Sequence, residues 1–317
     1  MTEARKVESL RDAYATALVE LGGRHPDLVV LDSDRSASTG TMLFGRKFPD
    51  RFFNVGVMEP TMMTIAAGLA LGGRTVFAST FAVFGAGHAY HAVRQSIGYN
   101  RANVKIVATH GGLLVGADGA AHQMVEDLGL MRGLPGMTVL VPADAPTTRA
   151  ATFAVAERDG PAYVRLSRES LPTLPEGPFR IGSARELRAG NDLTIVAVGA
   201  LVARGLDVAE ELARVGVSTR VLDFASVKPF DEPALLRAAR DTGAILVLEE
   251  HSVLTGVGAL VASTTSENYP VPVRRVGVPD LFVDAGDPGE RLDRYGLGTE
   301  RIRDEAWELL RLRGKVT

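Results

Sequence analysis

Glu59 is the residue whose setting most invites chemistry. It lies in residues 54–71, NVGVMEPTMMTIAAGLAL, where a strand expected over 52–57 runs through one carboxylate straight into an apolar helix. Pro60 suits the first helical turn, because the N–H that proline lacks would have had no partner there. Met62, Met63, Ile65, Ala66, Ala67, Gly68, Leu69 and Ala70 leave the helix apolar or small on nearly every side, which suits an interior or a subunit interface. One carboxyl is thus brought to the edge of a dry region, a setting suited to holding or sharing a proton. A Glu-Pro pair alone is more often a solvated glutamate favoured by the helix dipole. What sets Glu59 apart is its company: Ser79-Thr80-Phe81 and Phe84, then a glycine-rich loop over 110–123, HGGLLVGADGAAHQ.

Around these residues the chain alternates. Residues 9–22 have helical periodicity, with Leu10, Ala13, Ala17, Leu18 and Leu21 on one side. Strands are expected at 28–31, 75–78, 104–109, 138–141 and 162–166. Helices are expected at 81–99, 125–132 and 146–157, and a loop at 36–40. Pro175, Gly177, Pro178, Gly182 and Gly190 interrupt this rhythm, so 173–191 reads as a linker between a domain of residues 1–172 and a smaller one of 192–317. In the second unit, strands at 193–198, 218–223, 244–249 and 271–276 alternate with helices at 202–214, 232–240 and 256–266, and helices at 288–295 and 299–312 close the chain. The fold class expected is α/β, two doubly wound, mostly parallel-sheet domains.

Bulk properties exclude several classes. A length of 317 residues suits two domains, and a net charge of -3 with interspersed signs offers no basic face for nucleic acid. There is no cysteine, hence no disulfide, thiolate metal site or cysteine nucleophile. The first residues are charged, without an apolar signal core, and no run reaches the roughly 18 apolar residues of a membrane span. A cytoplasmic protein is expected. His25, His88, His91 and His251 have no assigned chemistry and are expected at the surface or in helix packing; Lys228, in VKPFD, is expected to be structural.

The succession FNVGVMEP, GLALGG, FASTFAVF resembles the pyrimidine-binding domain of transketolases, thiamine-diphosphate enzymes that move two-carbon units. The resemblance implies that Glu59 is the carboxyl hydrogen-bonded to the cofactor's pyrimidine and that Phe81 and Phe84 form the wall beside it. Pro60 departs from the Gln, Ala or His usual after that glutamate, and Gly87 replaces a further aromatic. Thr109-His110, Gly116, Asp118-Gly119 and His122-Gln123 resemble the family's substrate loop. That likeness implies a sugar hydroxyl on Asp118 and a proton or oxyanion role for His122. It also implies a clamp for a sugar's terminal phosphate from Arg11, Ser38, His110 and Arg168, and a place near the cofactor for Asp34.

The resemblance spans the chain but only the latter half of a full-length transketolase. The Gly-Asp-Gly stretch that holds magnesium and the diphosphate in the other half has no counterpart here. The expectation is therefore the smaller subunit of a split enzyme, a heterotetramer of two plus two chains whose N-terminal diphosphate-binding subunit holds the Mg2+. Sugar phosphates are the expected substrates. The beta subunit of a 2-oxoacid dehydrogenase shares the domain order, but the Asp-Gly-x-x-His-Gln loop resembles transketolase more. Deoxyxylulose phosphate synthase has an arginine-rich helix after the Ser-Thr-Phe triplet that is absent here. A catalytically silent regulatory or scaffold subunit is the alternative from another class, and the intact Glu59, Asp118 and His122 argue against it.

Overall fold

The runs LVVLD, TVFASTF and VKIVAT are apolar with little alternation and almost wholly buried, as strands covered on both faces must be. The computed structural model describes residues 5–312 and Gly314; the outer limits of the two expected domains, residues 1 and 317, fall outside these. In chain order the strands are β1 (Val7–Glu8), β2 (Leu28–Asp32), β3 (Phe52–Asn54), β4 (Thr75–Phe81), β5 (Val104–Thr109), β6 (Thr138–Leu140) and β7 (Ala162–Arg165). They continue as β8 (Leu171–Pro172), β9 (Arg185–Arg188), β10 (Leu193–Ala197), β11 (Thr219–Asp223), β12 (Ser226–Lys228), β13 (Ile245–Ser252) and β14 (Val273–Val278). One sheet has the order β12-β6-β7-β5-β4-β2-β3 and a second β14-β13-β10-β11-β9, while β1 and β8 form a separate pair. Both larger sheets are parallel except at one edge, where β12 on β6 and β9 on β11 run antiparallel. Two α/β units with mostly parallel sheets are what the alternation predicts.

Successive residues of β2 and β4 feed opposite faces. Leu28, Val30 and Phe77 pack with Leu10, Tyr14 and Leu18 of the Leu10–Arg24 helix. Val29, Leu31, Val76 and Ala78 pack with Met62, Met63, Ala66 and Ala67 of the Glu59–Leu71 helix. That second helix is buried on one side only. Ile65 and Leu71 stay exposed, as do Val57 and Met58 just before it. Among the described residues, no helix is long and apolar enough to cross a membrane.

Several expected boundaries shift. β4 runs on to Phe81, because Ser79, Thr80 and Phe81 complete a ladder with Val107, Ala108 and Thr109 of β5. Phe81 therefore ends a strand rather than starting a helix. The segment expected as one helix over 81–99 consists of wide π-helical turns, Val83–His88 and Val93–Gly98, around one α-helical turn, Tyr90–Ala92. β3 stops at Asn54, whose side-chain oxygen accepts the Asp34 and Gly56 N–H groups and turns the chain. Ser36–Thr39, expected as loop, is a helical turn. β9 lies inside the segment read as linker, and β12 crosses back onto the edge of the first sheet.

Since β2, β3, β4, β5 and β7 are mutually parallel, their C-terminal ends share one rim. Asp32, Asn54, Phe81, Thr109 and Arg165, far apart in sequence, are thereby gathered where open α/β sheets bind ligands.

Candidate active site

Glu59 is the first residue of its helix and only 3% exposed. No side chain caps the helix start, so a carboxylate in the first turn faces free N–H groups and the positive end of the dipole. Ser33, just beyond β2, lies with its hydroxyl 3.3 Å from Glu59 Oε1 and donates to Thr80 Oγ1 at 2.9 Å. Arg35 Nε is 4.0 Å from the same carboxylate oxygen. The acid is thus buried but keeps lone pairs for something else.

Beside it stand the aromatic rings. Phe81 and Phe84 are stacked with centroids 6.1 Å apart, and His110 stacks on Phe81 at 3.7 Å. His122 meets both phenyl rings edge-on, at 6.2 and 5.5 Å. The guanidinium of Arg35 lies over both, 4.6 Å from Phe81 and 4.7 Å from Phe84. Opposite Gly87, where the family pattern has another aromatic, the Met124 side chain approaches to 3.8 Å of a notional Cβ.

The remaining candidates lie along the same rim. Arg168 Nη1 is 3.2 Å from Asp118 Oδ2 and also donates to the Val115 carbonyl. Arg11 Nη1 donates to the Ser38 carbonyl at 3.2 Å. Burial drives the His110 pKa down to about 3, and the nearby Arg11 and Arg168 charges push the same way. His110 is therefore neutral at physiological pH, with Nδ1 2.8 Å from Thr109 Oγ1. His110 and Asp34 both have φ of 62°, a left-handed backbone uncommon outside glycine that gathers at functional sites. Asp34 itself points to solvent and exchanges hydrogen bonds with Asn54.

Three contributors escape a reading of the sequence alone. Ser33 and Arg35 flank Asp34 but carry no motif. Asp32, fully buried, accepts from the Arg35 N–H at 2.6 Å, Thr39 Oγ1 at 2.7 Å and Thr41 Oγ1 at 2.8 Å, and so shapes the turn that carries Ser38. Burial raises its pKa, while these hydrogen bonds oppose the rise. The Asp-Ser-Asp triplet at a strand end, followed by Ser and Thr, was the available signal. His88 and His91 are exposed and His25 sits near Glu157, as expected. His251 corrects the expectation for it: it is fully buried in a strand, where Nε2 accepts the Leu128 N–H at 3.1 Å. Lys228 donates to the Arg132 and Leu134 carbonyls at 2.9 and 2.6 Å, a structural contact.

Chemically, this rim offers a buried acid beside a flat aromatic wall, then the neutral His110 and the His122 imidazole, then two arginines. The Arg35 guanidinium tests the slot: a planar, N–H-bearing group lies on the wall with Nε towards Glu59, and that Nε and His122 Nδ1 are buried without a hydrogen-bond partner. A nitrogen heterocycle such as an aminopyrimidine is flat in the same way and carries a ring nitrogen for a protonated Glu59 and an amino group for an acceptor, so the residues present fit one.

Known proteins resemble this chain over both of its domains. Residues 7–173 match the transketolase pyrimidine-binding domain and residues 182–302 the transketolase C-terminal domain. The 6-deoxy-6-sulfo-D-fructose transketolase subunit of Clostridium sp. is 39% identical over 95% of this chain and 94% of its own. An apulose-4-phosphate transketolase subunit of Phocaeicola vulgatus is 36% identical over 97% and 99%. A solved structure described as a split gene transketolase, an inactive beta4 tetramer, superposes with a TM-score of 0.90 at 47% identity, over 96% of this chain and 99% of that one.

Proposed function

This chain belongs to the transketolase family, and from that premise we propose that it is the smaller subunit of a split thiamine-diphosphate-dependent transketolase. In this reading it transfers a two-carbon ketol unit from a ketose, phosphorylated at its far end, to an aldose. The observation that carries the proposal is the buried Glu59 carboxyl beside the stacked Phe81 and Phe84 rings. Thiamine diphosphate, when bound, supplies the nucleophilic carbon that breaks a ketose carbon–carbon bond.

The residues divide the remaining work. Glu59 holds a proton at its carboxyl against the pyrimidine, at a site where water is scarce. Phe81 and Phe84 give the ring a face to lie on, with Asp34 close to the cofactor. His122, whose Nδ1 is buried without a partner, donates to the oxygen on which charge develops. Asp118 takes a sugar hydroxyl. Arg11, Ser38, Arg168 and the neutral His110 hold the terminal phosphate, the arginines through a planar fork of donors.

The diphosphate and its magnesium are assigned to an N-terminal, diphosphate-binding partner subunit, in a heterotetramer of two plus two chains. Val57 and Met58, 63% and 53% exposed just before Glu59, leave apolar surface on which a partner can close the site. The relatives described as subunits, and the one described as inactive as a beta4 tetramer, support a chain that works only in company. Neither named relative favours the 2-oxoacid dehydrogenase reading.

The test is reconstitution. The purified chain with Mg2+ is expected to bind thiamine diphosphate weakly and turn over nothing. Adding the diphosphate-domain subunit should give ketol transfer and a larger species on gel filtration. Robust transfer by this chain alone would overturn the split-enzyme reading.

A further inference from the structure

The loop that carries Asp118 and His122 is anchored from below by residues of both domains. Its first arm, Gly111 to Leu114, lies against the Glu250 side chain of β13, which is 2% exposed. Glu250 Oε1 accepts the Leu114 N–H at 2.6 Å; burial pushes its pKa up to about 7, against the pull of Arg165 and of the Leu114 and Leu113 amides. A Cβ on Gly112 would sit 2.3 Å from the Glu250 carboxyl carbon, so glycine is required there, all the more with φ at +85°.

The second arm returns at Met124. Its carbonyl accepts the Gly112 N–H at 2.8 Å and Arg165 Nη2 at 3.3 Å. The same Arg165 nitrogen donates to the Glu250 carbonyl at 2.9 Å, and Arg165 Nε is 3.0 Å from Asp127 Oδ2. Tyr163 OH donates to that Asp127 oxygen at 2.7 Å. A Cβ on Gly111 would lie 2.4 Å from Arg165 Nε. Both glycines of the loop's opening therefore match side chains packed under them.

Buried charges are costly unless fully paired. A buried Glu250 and Arg165 that each hydrogen-bond the backbone of one arm of the same loop point to what that loop carries. We propose that Glu250 and Arg165 are positioning residues for the substrate loop, making the C-terminal domain a working part of the site rather than an appendage. The inference rests on the transketolase reading for what the loop binds, but not for how it is held.

The test uses Glu250→Gln, which keeps the volume but turns an –NH2 towards one of two backbone donors, and Arg165→Lys, which keeps the charge but loses the fork. Hydrogen exchange is followed by mass spectrometry on the full chain, with kinetics on the chain reconstituted with its partner subunit. Glu250→Gln should speed exchange in 111–116 by about tenfold or more, as loss of a charged hydrogen bond implies, leaving β10 and β11 unchanged. Arg165→Lys should loosen 112 and 124 in the same manner. In the reconstituted enzyme, KM for the ketose should rise while thiamine diphosphate affinity stays at the wild-type value. Wild-type exchange in 111–124, or protection lost equally throughout the second sheet, would overturn the proposal. Wild-type complexes without ketol transfer would instead defeat the transketolase reading, and the exchange result would still decide the brace.

Discussion

The guanidinium carbon of Arg35 lies 4.6 Å from the centroid of the Phe81 ring. A bound ring cannot share that face with it, so Arg35 has to swing away when the wall is used. A cation over an aromatic face is worth about 0.5–2 kcal/mol, and that much of the cofactor's binding energy is spent on displacement. Arg35→Leu in the reconstituted complex should therefore tighten thiamine diphosphate by roughly 2- to 30-fold, read by calorimetry. An unchanged affinity would mean that Arg35 does not block the wall, and a weaker one that it assists the cofactor.

Glu59→Gln should leave folding and assembly unchanged and lower turnover by about 10²–10⁴, the range for a lost acid–base group. The amide keeps the size of the side chain and its contact with the Ser33 hydroxyl. Near-normal turnover would reduce Glu59 to a helix-start residue.

Arg168 tests the phosphate clamp. It is about one-third exposed and its present partners are Asp118 and the Val115 carbonyl, so its loss falls at the lower end for a charged contact. Arg168→Ala should raise KM for a ketose phosphate by about tenfold. Hydroxypyruvate with an unphosphorylated acceptor never uses the clamp, and its turnover should hardly change. Equal losses on both donors would make Arg168 a support for the loop alone.

His251 gives a prediction about pH. Burial pushes its pKa down to about 4, with the Asp127 carboxylate opposing and Arg165 reinforcing that shift. The unfolded chain takes up this proton near pH 6.5 and the folded one only near 4, so the stability linked to neutral His251 is present above pH 6.5 and lost as pH falls towards 4. In urea titrations, the margin between wild type and His251→Gln should narrow steadily over that window. A margin independent of pH would show that the group does not titrate differently in the two states.

Sequence by itself determined the alternation of strands and helices, because strands covered on both faces and helices with one apolar side leave local patterns. It also singled out Glu59 and the glycine-rich loop, because a tight turn or a close approach to ligand restricts residue type within a few positions, whereas Arg11, Ser38 and Arg168 were marked only by their resemblance to the transketolase pattern. Tertiary structure alone decided the rest. Phe81 belongs to β4 because its ladder partner is Thr109, a residue no local window contains. The Glu59–Leu71 helix is half open because only one of its sides meets the sheet. Arg35 reaches the aromatic wall because parallel strands bring the ends of β2 and β4 together. Glu250 meets Leu114 across 136 residues, and such a contact has no sequence signature, since neither residue's neighbours constrain the other until two domains have packed.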